Sequence, residues 1–261
     1  EASNPANTSN QQSILSNDFN SMVAQMNTFI SNAVYNGRNL ISSGSASVSI
    51  TSTITGGQLT ISGASALGGV SAALLAEQGA KVVGVADWKG GVYNDSGLDI
   101  TALLEHVKTH KTVAGFAKAD PLDPAKLFGL DVDVLVPAAL ENQITAENAP
   151  GIKAKLVVEG ANGPTTPEAH QHLSDRGVLV IPDILANSGG VTVSYFEWVQ
   201  DRHGYFWTEK EVNDRLEQKM CEAFDDVLQT SLKHKVDMRT AAYIVAINRV
   251  AAVTRMRGMY A

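Results

Sequence analysis

Two periodicities divide this chain. Leu15, Phe19, Met22, Met26, Phe29 and Ala33 recur at alternating spacings of four and three, and Val23 and Ile30 widen the stripe. That heptad seam predicts one amphipathic helix from about Gln11 to Tyr35. Asn36-Gly37 ends it, because glycine readily takes the positive φ of a helix stop or turn. Val48, Ile50 and Ile54 then recur at even spacing, Gly56-Gly57 makes a turn, and Leu59 and Ile61 carry the alternation on. This predicts a hairpin of short strands. From about residue 58 the pattern changes. Short apolar runs at Leu59-Ser62, Lys81-Ala86, Val132-Pro137, Leu156-Glu159 and Val178-Ile181 read as buried parallel strands, with helical stretches between them.

Capping residues fix several of those helices. Thr166 caps one, with Pro167 at its first position, Glu168 in its first turn and Gly177 after its end. Thr208 and Glu211 form a capping box ahead of Val212, Leu216, Met220, Phe224 and Val227. A last helix from about Met238, rich in Ala with Ile and Val, reads as a packing helix. Strand–helix alternation of this kind predicts an α/β fold, a doubly wound and mostly parallel sheet followed by C-terminal helices. The expected division is residues 1–62, with the amphipathic helix and short β segments, and residues 63–261, the α/β domain.

The surface chemistry changes at the same place. Between Glu1 and Thr60 the only charged residues are Glu1, Asp18 and Arg38, and every lysine lies at Lys81 or later. Such a break implies two pieces of different origin. Overall the 261 residues carry a net charge of −7, with 44% hydrophobic and 18% charged positions. That is ordinary for a globular protein and argues against nucleic acid, which needs clustered Lys and Arg. No apolar run approaches the roughly 20 residues of a membrane span, and the N-terminus lacks a signal pattern, so a cytoplasmic location without membrane contact is expected. The single cysteine, Cys221, rules out an internal disulfide and reads as a buried thiol. The stripe from Leu15 to Phe29 is a candidate surface for self-association, since an uncovered apolar seam drives assembly.

Candidate chemistry gathers where strands end. Gly63-Ala64-Ser65-Ala66-Leu67-Gly68 follows the first strand and opens a helix ending near Gln78, and Asp87 closes the next strand about twenty residues on. The spacing is that of a dinucleotide fingerprint, with Gly63, Ser65, Ala66, Leu67 and Gly68 around the pyrophosphate and Asp87 at the adenosine ribose. Ser65 stands where the fingerprint asks for glycine, and its β-carbon points where phosphate should come. Glu141, Glu147 and Glu159 show no paired spacing for acid–base work. His170 and His172 lie on different helix faces, so no metal site is expected. Trp88, Trp198 and Trp207 read as packing residues.

Longer motifs carry a resemblance. DVLVPAALENQIT, VVEGANGPTTPEA, VIPDILANSGGVTVSYFEWVQ and DMRTAAYIVAINRVA, in that order, resemble the glutamate dehydrogenases within the Glu/Leu/Phe/Val dehydrogenase family. The likeness runs from about Gly68 to the C-terminus. It implies a Rossmann-like cofactor domain for oxidative deamination of glutamate or another amino acid, with NAD as cofactor and NADP possible. By resemblance Asp87 holds the adenosine ribose, Ala138 and Ala139 leave room for the dinucleotide, and Asn162 and Asn187 serve its nicotinamide half. Val191 and Ser194 would touch the side chain of an amino-acid or 2-oxo-acid substrate. The family's catalytic Lys and Asp match nothing here, so no catalytic residue is assigned and the chain alone is expected to be inactive.

The earlier stretch DFNSMVAQMNTFISNAVYNGRNLI, Asp18 to Ile41, resembles bacterial flagellin, where such a helix builds the core of a secreted filament. Three readings therefore stand: an oxidoreductase domain, an assembly module, or a chimera joined near Ser62 to Gly69.

Overall fold

The computed structural model of the chain describes residues 34–35, 38–39, 58–62 and 66–258. Two compact units divide it, Glu1–Ser45 and Ala46–Ala261. In the first, β1 (Val34–Tyr35) pairs antiparallel with β2 (Arg38–Asn39), Tyr35 opposite Arg38. The helix expected to reach Tyr35 therefore does not include Val34 and Tyr35. Asn36-Gly37, a strong hairpin dipeptide, lies between the paired residues, and the β-branched Val34 and aromatic Tyr35 suit a strand. The stripe Leu15, Phe19, Met22, Met26 and Phe29 lies outside the described residues, as does most of the flagellin-like stretch.

The second unit is built on a seven-stranded sheet of order β6-β5-β4-β3-β7-β8-β9. Its strands are β3 (Gln58–Ser62), β4 (Lys81–Ala86), β5 (Gly91–Tyr93), β6 (Asp120–Leu122), β7 (Val134–Pro137), β8 (Leu156–Val158) and β9 (Leu179–Ile181). β3, β4, β7, β8 and β9 are mutually parallel, and β5 and β6 extend the β4 edge antiparallel. All five strands expected from apolar runs lie in this one sheet. The arm expected to form a hairpin through Leu59 and Ile61 is a central strand instead. Parallel neighbours occupy both its edges, which leaves no edge for a hairpin partner, and it joins the second unit ahead of the expected division at residue 62.

The crossover helices are α1 (Ala66–Glu77), α2 (Ile100–His110), α3 (Pro124–Leu127) and α4 (Pro167–Asp175), followed by α5 (Asp183–Ala186), α6 (Gly189–His203), α7 (Glu209–His234) and α8 (Met238–Arg257). Alternation along β7 sends its side chains to two cores. Val134 and Val136 pack with Ala72 of α1 and Leu103 of α2, while Leu135 packs with Ile152 and with Leu173 of α4. A third cluster, Ile181, Leu185, Val227, Met238, Ala241 and Ala242, joins the sheet edge to α7 and α8. Gly84 in β4 is required by this packing. A Cβ there would come within 3.1 Å of Thr60 and 3.2 Å of Leu127 and Leu130.

Side-chain caps hold the helix starts. Thr166 Oγ1 accepts from the Ala169 amide, and Thr208 and Glu211 close their reciprocal box at 2.7 and 3.3 Å. Gly177, at φ +73°, stops α4. Two other expectations are corrected. Cys221 is exposed, because the buried stripe of α7 runs through Leu216, Met220 and Val227, and one residue past Met220 turns about 100° away. Only the first turns of α8 pack. Beyond Ala242 its apolar side chains Ile247, Val250 and Met256 are exposed, the last at 80%. Among the described residues no helix is long and apolar enough to cross a membrane.

Candidate functional site

The strand order reverses at β3. Its chain continuation crosses to β4 on one side, while β7 flanks it on the other. In sheets of this type ligands lie beyond the carboxyl ends of the strands at that reversal. Here the expected residues fall at successive strand ends. Asp87 follows β4, Ala138 and Ala139 follow β7, Asn162 stands in the loop after β8, and Asn187 ends α5 beyond β9. Ala66, Leu67 and Gly68 form the first turn of α1 directly after the β3 loop. Gly63 and Ser65 lie outside the described residues.

The middle of this row is tightly built. Ala138 is buried and Ala139 exposed. The Gly160 and Ala161 amides both donate to the Pro137 carbonyl, at 3.1 and 2.9 Å. A Cβ on Gly160 would stand 3.1 Å from that of Ala138. Small side chains at 138 and 160 let the ends of β7 and β8 close on one another and leave no bulk there, which suits a dinucleotide passing the strand ends.

Beyond β8 and β9 two amides meet. Asn187 Nδ2 donates to Asn162 Oδ1 at 2.7 Å and, more weakly, to the Gly160 carbonyl at 3.3 Å. Twenty-five residues separate the two asparagines in sequence. Their contact leaves Asn162 Nδ2 as a donor and Asn187 Oδ1 as an acceptor with no partner among the described residues. That complementary pair fits a carboxamide or a ribose hydroxyl. Val191 and Ser194 follow on the first turns of α6, three apart and so on one face, with Val191 at 70% exposure.

Under the asparagines lies an ionic network. Glu159, at 0% exposure, accepts from Arg239 Nη2 at 2.6 Å and from the Asp183 amide at 2.9 Å. Arg239 Nη1 also donates to Asp183 Oδ1 at 3.1 Å, and Asp183 Oδ2 receives the Gly163 amide at 2.8 Å. Gly163 takes φ +56°, a left-handed turn directly after Asn162. The chain of contacts thus runs from α8 through two carboxylates to the turn that presents Asn162. Burial opposes the charge on Arg239, but the Glu159 and Asp183 carboxylates outweigh it and hold the guanidinium pKa above its ordinary value.

The sequence profile of the Glutamate/Leucine/Phenylalanine/Valine dehydrogenases matches residues 36–258. The chain belongs to that family. Similar members include a glutamate dehydrogenase of Thermotoga maritima, 57% identical over 194 residues, covering 74% of this chain and 47% of that protein. A NAD-specific glutamate dehydrogenase of Staphylococcus aureus is 49% identical over 205 residues, covering 78% of this chain and 49% of the relative. Among solved structures, the hetero-hexameric glutamate dehydrogenase of Thermus thermophilus in its Leu-bound form superposes with a TM-score of 0.75 at 34% identity, over 79% of this chain and 49% of that one. That of Peptoniphilus asaccharolyticus gives 0.67 at 38% identity, over 78% and 47%. The chain therefore spans about half the length of the relatives it matches.

Within the dehydrogenase fold, the structure gathers Ala138, Asn162, Asn187, Val191 and Ser194 toward the β7–β9 side and sets Asp87 apart on the β4 side. Asp87 is almost fully engaged with backbone: Oδ1 accepts from the Lys89 and Gly90 amides at 2.8 and 3.1 Å, and Oδ2 from the Val113 amide at 2.8 Å. The Glu159–Arg239–Asp183 network was invisible to spacing, because its partners are up to 80 residues apart. A glutamate at the end of an otherwise apolar strand was the one available signal. Of the tryptophans, Trp88 and Trp198 are exposed, the latter stacked on Tyr195, and Trp207 packs edge-on to Phe196 and under Arg215. Both exposed indoles stand at positions the core does not reach, a loop beyond β4 and the outer face of α6. His170 Nε2 donates to the Asp237 carboxylate at 3.1 Å, and the Nε2 of His172 is buried without a partner among the described residues.

Proposed function

We propose that this chain is the dinucleotide-binding part of an amino-acid dehydrogenase of the glutamate type. The observation that carries this is the 2.7 Å bond between Asn162, in the loop after β8, and Asn187, at the end of α5, beside the small residues Ala138 and Gly160. The joined amides would orient the nicotinamide half of NAD(P). Val191 and Ser194, on the helix that begins just beyond Asn187, would meet the side chain of the amino-acid substrate, with the Ser194 hydroxyl as donor to a distal carboxylate. The α1 turn at Ala66, Leu67 and Gly68, with Gly63 and Ser65 before it, would take the pyrophosphate on its amides. The bound dinucleotide supplies the hydride acceptor.

Calorimetric titration of the 261-residue chain with NAD tests this. Asn162→Ala and Asn187→Ala should each weaken binding by about tenfold, the worth of one good hydrogen bond, with the fold intact by circular dichroism. Unchanged affinity in both variants, or no NAD binding to the parent chain, would remove the proposal. Turnover is a separate matter. The groups assembled here are amides and a hydroxyl, and none takes a proton from an amine near neutral pH. With glutamate and NAD the chain should form no NADH above a no-protein control.

A further inference from the structure

We propose that Asn162 is a site of spontaneous deamidation, and that the hold of Asp183 on the Gly163 amide sets how fast the reaction runs. Asn162-Gly163 is one of two Asn-Gly dipeptides in the chain, the other being Asn36-Gly37. In such a dipeptide the backbone nitrogen of the glycine can reach the asparagine's own side chain, because no β-carbon shields it. The Gly163 nitrogen gives up its proton and bonds to Asn162 Cγ, and Nδ2 leaves with a proton as ammonia. The five-membered succinimide then takes up water at one of its two carbonyls. Opening at one gives aspartate. Opening at the other gives isoaspartate, in which the chain runs through the side chain. An amide becomes an acid, and nothing is oxidised or reduced.

The structure supplies both access and restraint. Asn162 and Gly163 are exposed, so water reaches them. Gly163 takes φ +56°, and nothing lies within 4 Å of the place a Cβ would occupy, so the turn is open on that side. Its N–H, however, points into Asp183 Oδ2 at 2.8 Å. A carboxylate is too weak a base to remove an amide proton. It therefore keeps the proton in place, and its charge opposes the amide anion that must attack. Asp183 is itself fixed, since Oδ1 accepts from Arg239 Nη1 at 3.1 Å and from the Ile184 amide at 2.8 Å. On the far side of the turn the Gly163 carbonyl accepts from the Asn142 amide at 2.9 Å. The side chain under attack is held as well, with Asn162 Oδ1 taking Asn187 Nδ2 at 2.7 Å. Both reacting groups are thus occupied in the folded turn, and attack waits for a local opening that frees Gly163 from Asp183. The product changes the site. An acid at position 162 replaces the Nδ2 donor with an acceptor and adds a negative charge beside the turn that Asp183 holds; its effect on a nicotinamide rests on the dinucleotide reading above.

Peptide mapping by mass spectrometry tests this. The 261-residue chain is kept folded in mildly alkaline buffer, sampled over days, digested and read for acid at position 162, with isoaspartate separated by chromatography. The same chain in concentrated urea gives the rate of the unrestrained dipeptide. The folded parent should react at Asn162 about tenfold or more slowly than in urea, with isoaspartate among its products. Asp183→Ala should raise the folded rate by about tenfold, and Asp183→Asn, which keeps an acceptor without the charge, should lie between. Leu103→Ala is the control. It loosens the core between the sheet and α2 without touching Asp183, and its Asn162 rate should stay within about twofold of the parent's. A parent that reacts as fast folded as in urea overturns the inference. So does an Asp183→Ala chain no faster than Leu103→Ala, or aspartate formed without isoaspartate. Asn162→Asp, a stable copy of one product, should bind NAD about tenfold more weakly than the parent. Equal affinity removes the consequence for the site. A parent that binds no NAD overturns the dinucleotide reading alone, because the deamidation rates are read without ligand.

Discussion

Asp87 and Glu159 occupy equivalent places, each the first residue after a parallel strand, and each is buried. They are stabilised in opposite ways. Asp87 is surrounded by three amides, two of them from its own turn and one from Val113. Glu159 has one amide, from Asp183, and a guanidinium brought in from the start of α8. A charge held by neighbouring amides settles a loop. A charge held by a remote opposite charge makes distant segments depend on one another: the β8 end, the start of α5 and the start of α8 are tied through Arg239, and Asn162 is held by the same knot. The end of β4 is therefore locally determined, and the ends of β8 and β9 depend on the C-terminal helix.

The sharpest way to break that contrast is Arg239→Met. It leaves Glu159 buried without its counter-charge, and breaking such a pair typically costs about 3–5 kcal/mol. Urea unfolding should show a loss in that range, and the double variant Glu159→Gln with Arg239→Met should recover much of it, because a neutral amide needs no cation. A loss below about 1 kcal/mol in the single variant would mean the pair contributes as little as an exposed ion pair. In a chain that still folds, NAD affinity should fall with it.

Asp87→Asn should do less. The amide keeps one acceptor oxygen but sets an NH2 group against backbone donors, so one or two of the three bonds go, worth about 1–3 kcal/mol. Unfolding midpoints for this variant beside Arg239→Met sharpen the comparison. Equal losses would dissolve it, since local amides and a remote charge would then be worth the same.

How much of this was legible follows the same line between local and remote. The five parallel strands could be read because each is a short apolar run, and the starts of α4 and α7 because Thr166 and Thr208 carry their capping signals within three residues. The antiparallel strands could not. β5 is Gly-Val-Tyr and β6 is Asp-Pro-Leu, too short and too mixed to show a period, and they are strands only because the β4 edge is there to pair with. Gln58–Ser62 gave two signals, an apolar run that read as a parallel strand and an alternation that read as a hairpin arm, and its two parallel neighbours favour the first. Composition misled along α8, where Ala, Ile and Val suggested packing throughout, but Met238, Ala241 and Ala242 are buried, Val245 is partly so, and Ile247, Val250 and Met256 are exposed. The strand ends that carry the candidate site residues were legible in the sequence. What they touch was not, and Asp87 shows the consequence: position suggested a ribose ligand, while its hydrogen bonds show a carboxylate already engaged.

The smallest expected effect concerns the cap of the helix that delivers Arg239. Asp237 accepts from the Thr240 amide at 3.0 Å and from its hydroxyl at 2.7 Å, and meets His170 at 3.1 Å. Burial raises its pKa, but the Thr240 bonds and His170 outweigh that and hold the carboxyl below its ordinary value of 3.8. The sign follows directly. A group whose pKa is lower in the folded state binds protons less readily there, so its contribution is complete above 3.8 and is lost as pH falls through the folded value. Asp237→Asn removes this titration while keeping a competent cap, since asparagine is about as good as aspartate at that position and the change there is a few tenths of a kcal/mol. At about pH 7 the variant should be slightly less stable than the parent, and the gap should shrink as pH falls below 3.8 and through the lower folded value, where the parent's carboxylate protonates. If the two unfolding midpoints keep a constant separation across that range, the cap carries no pH dependence.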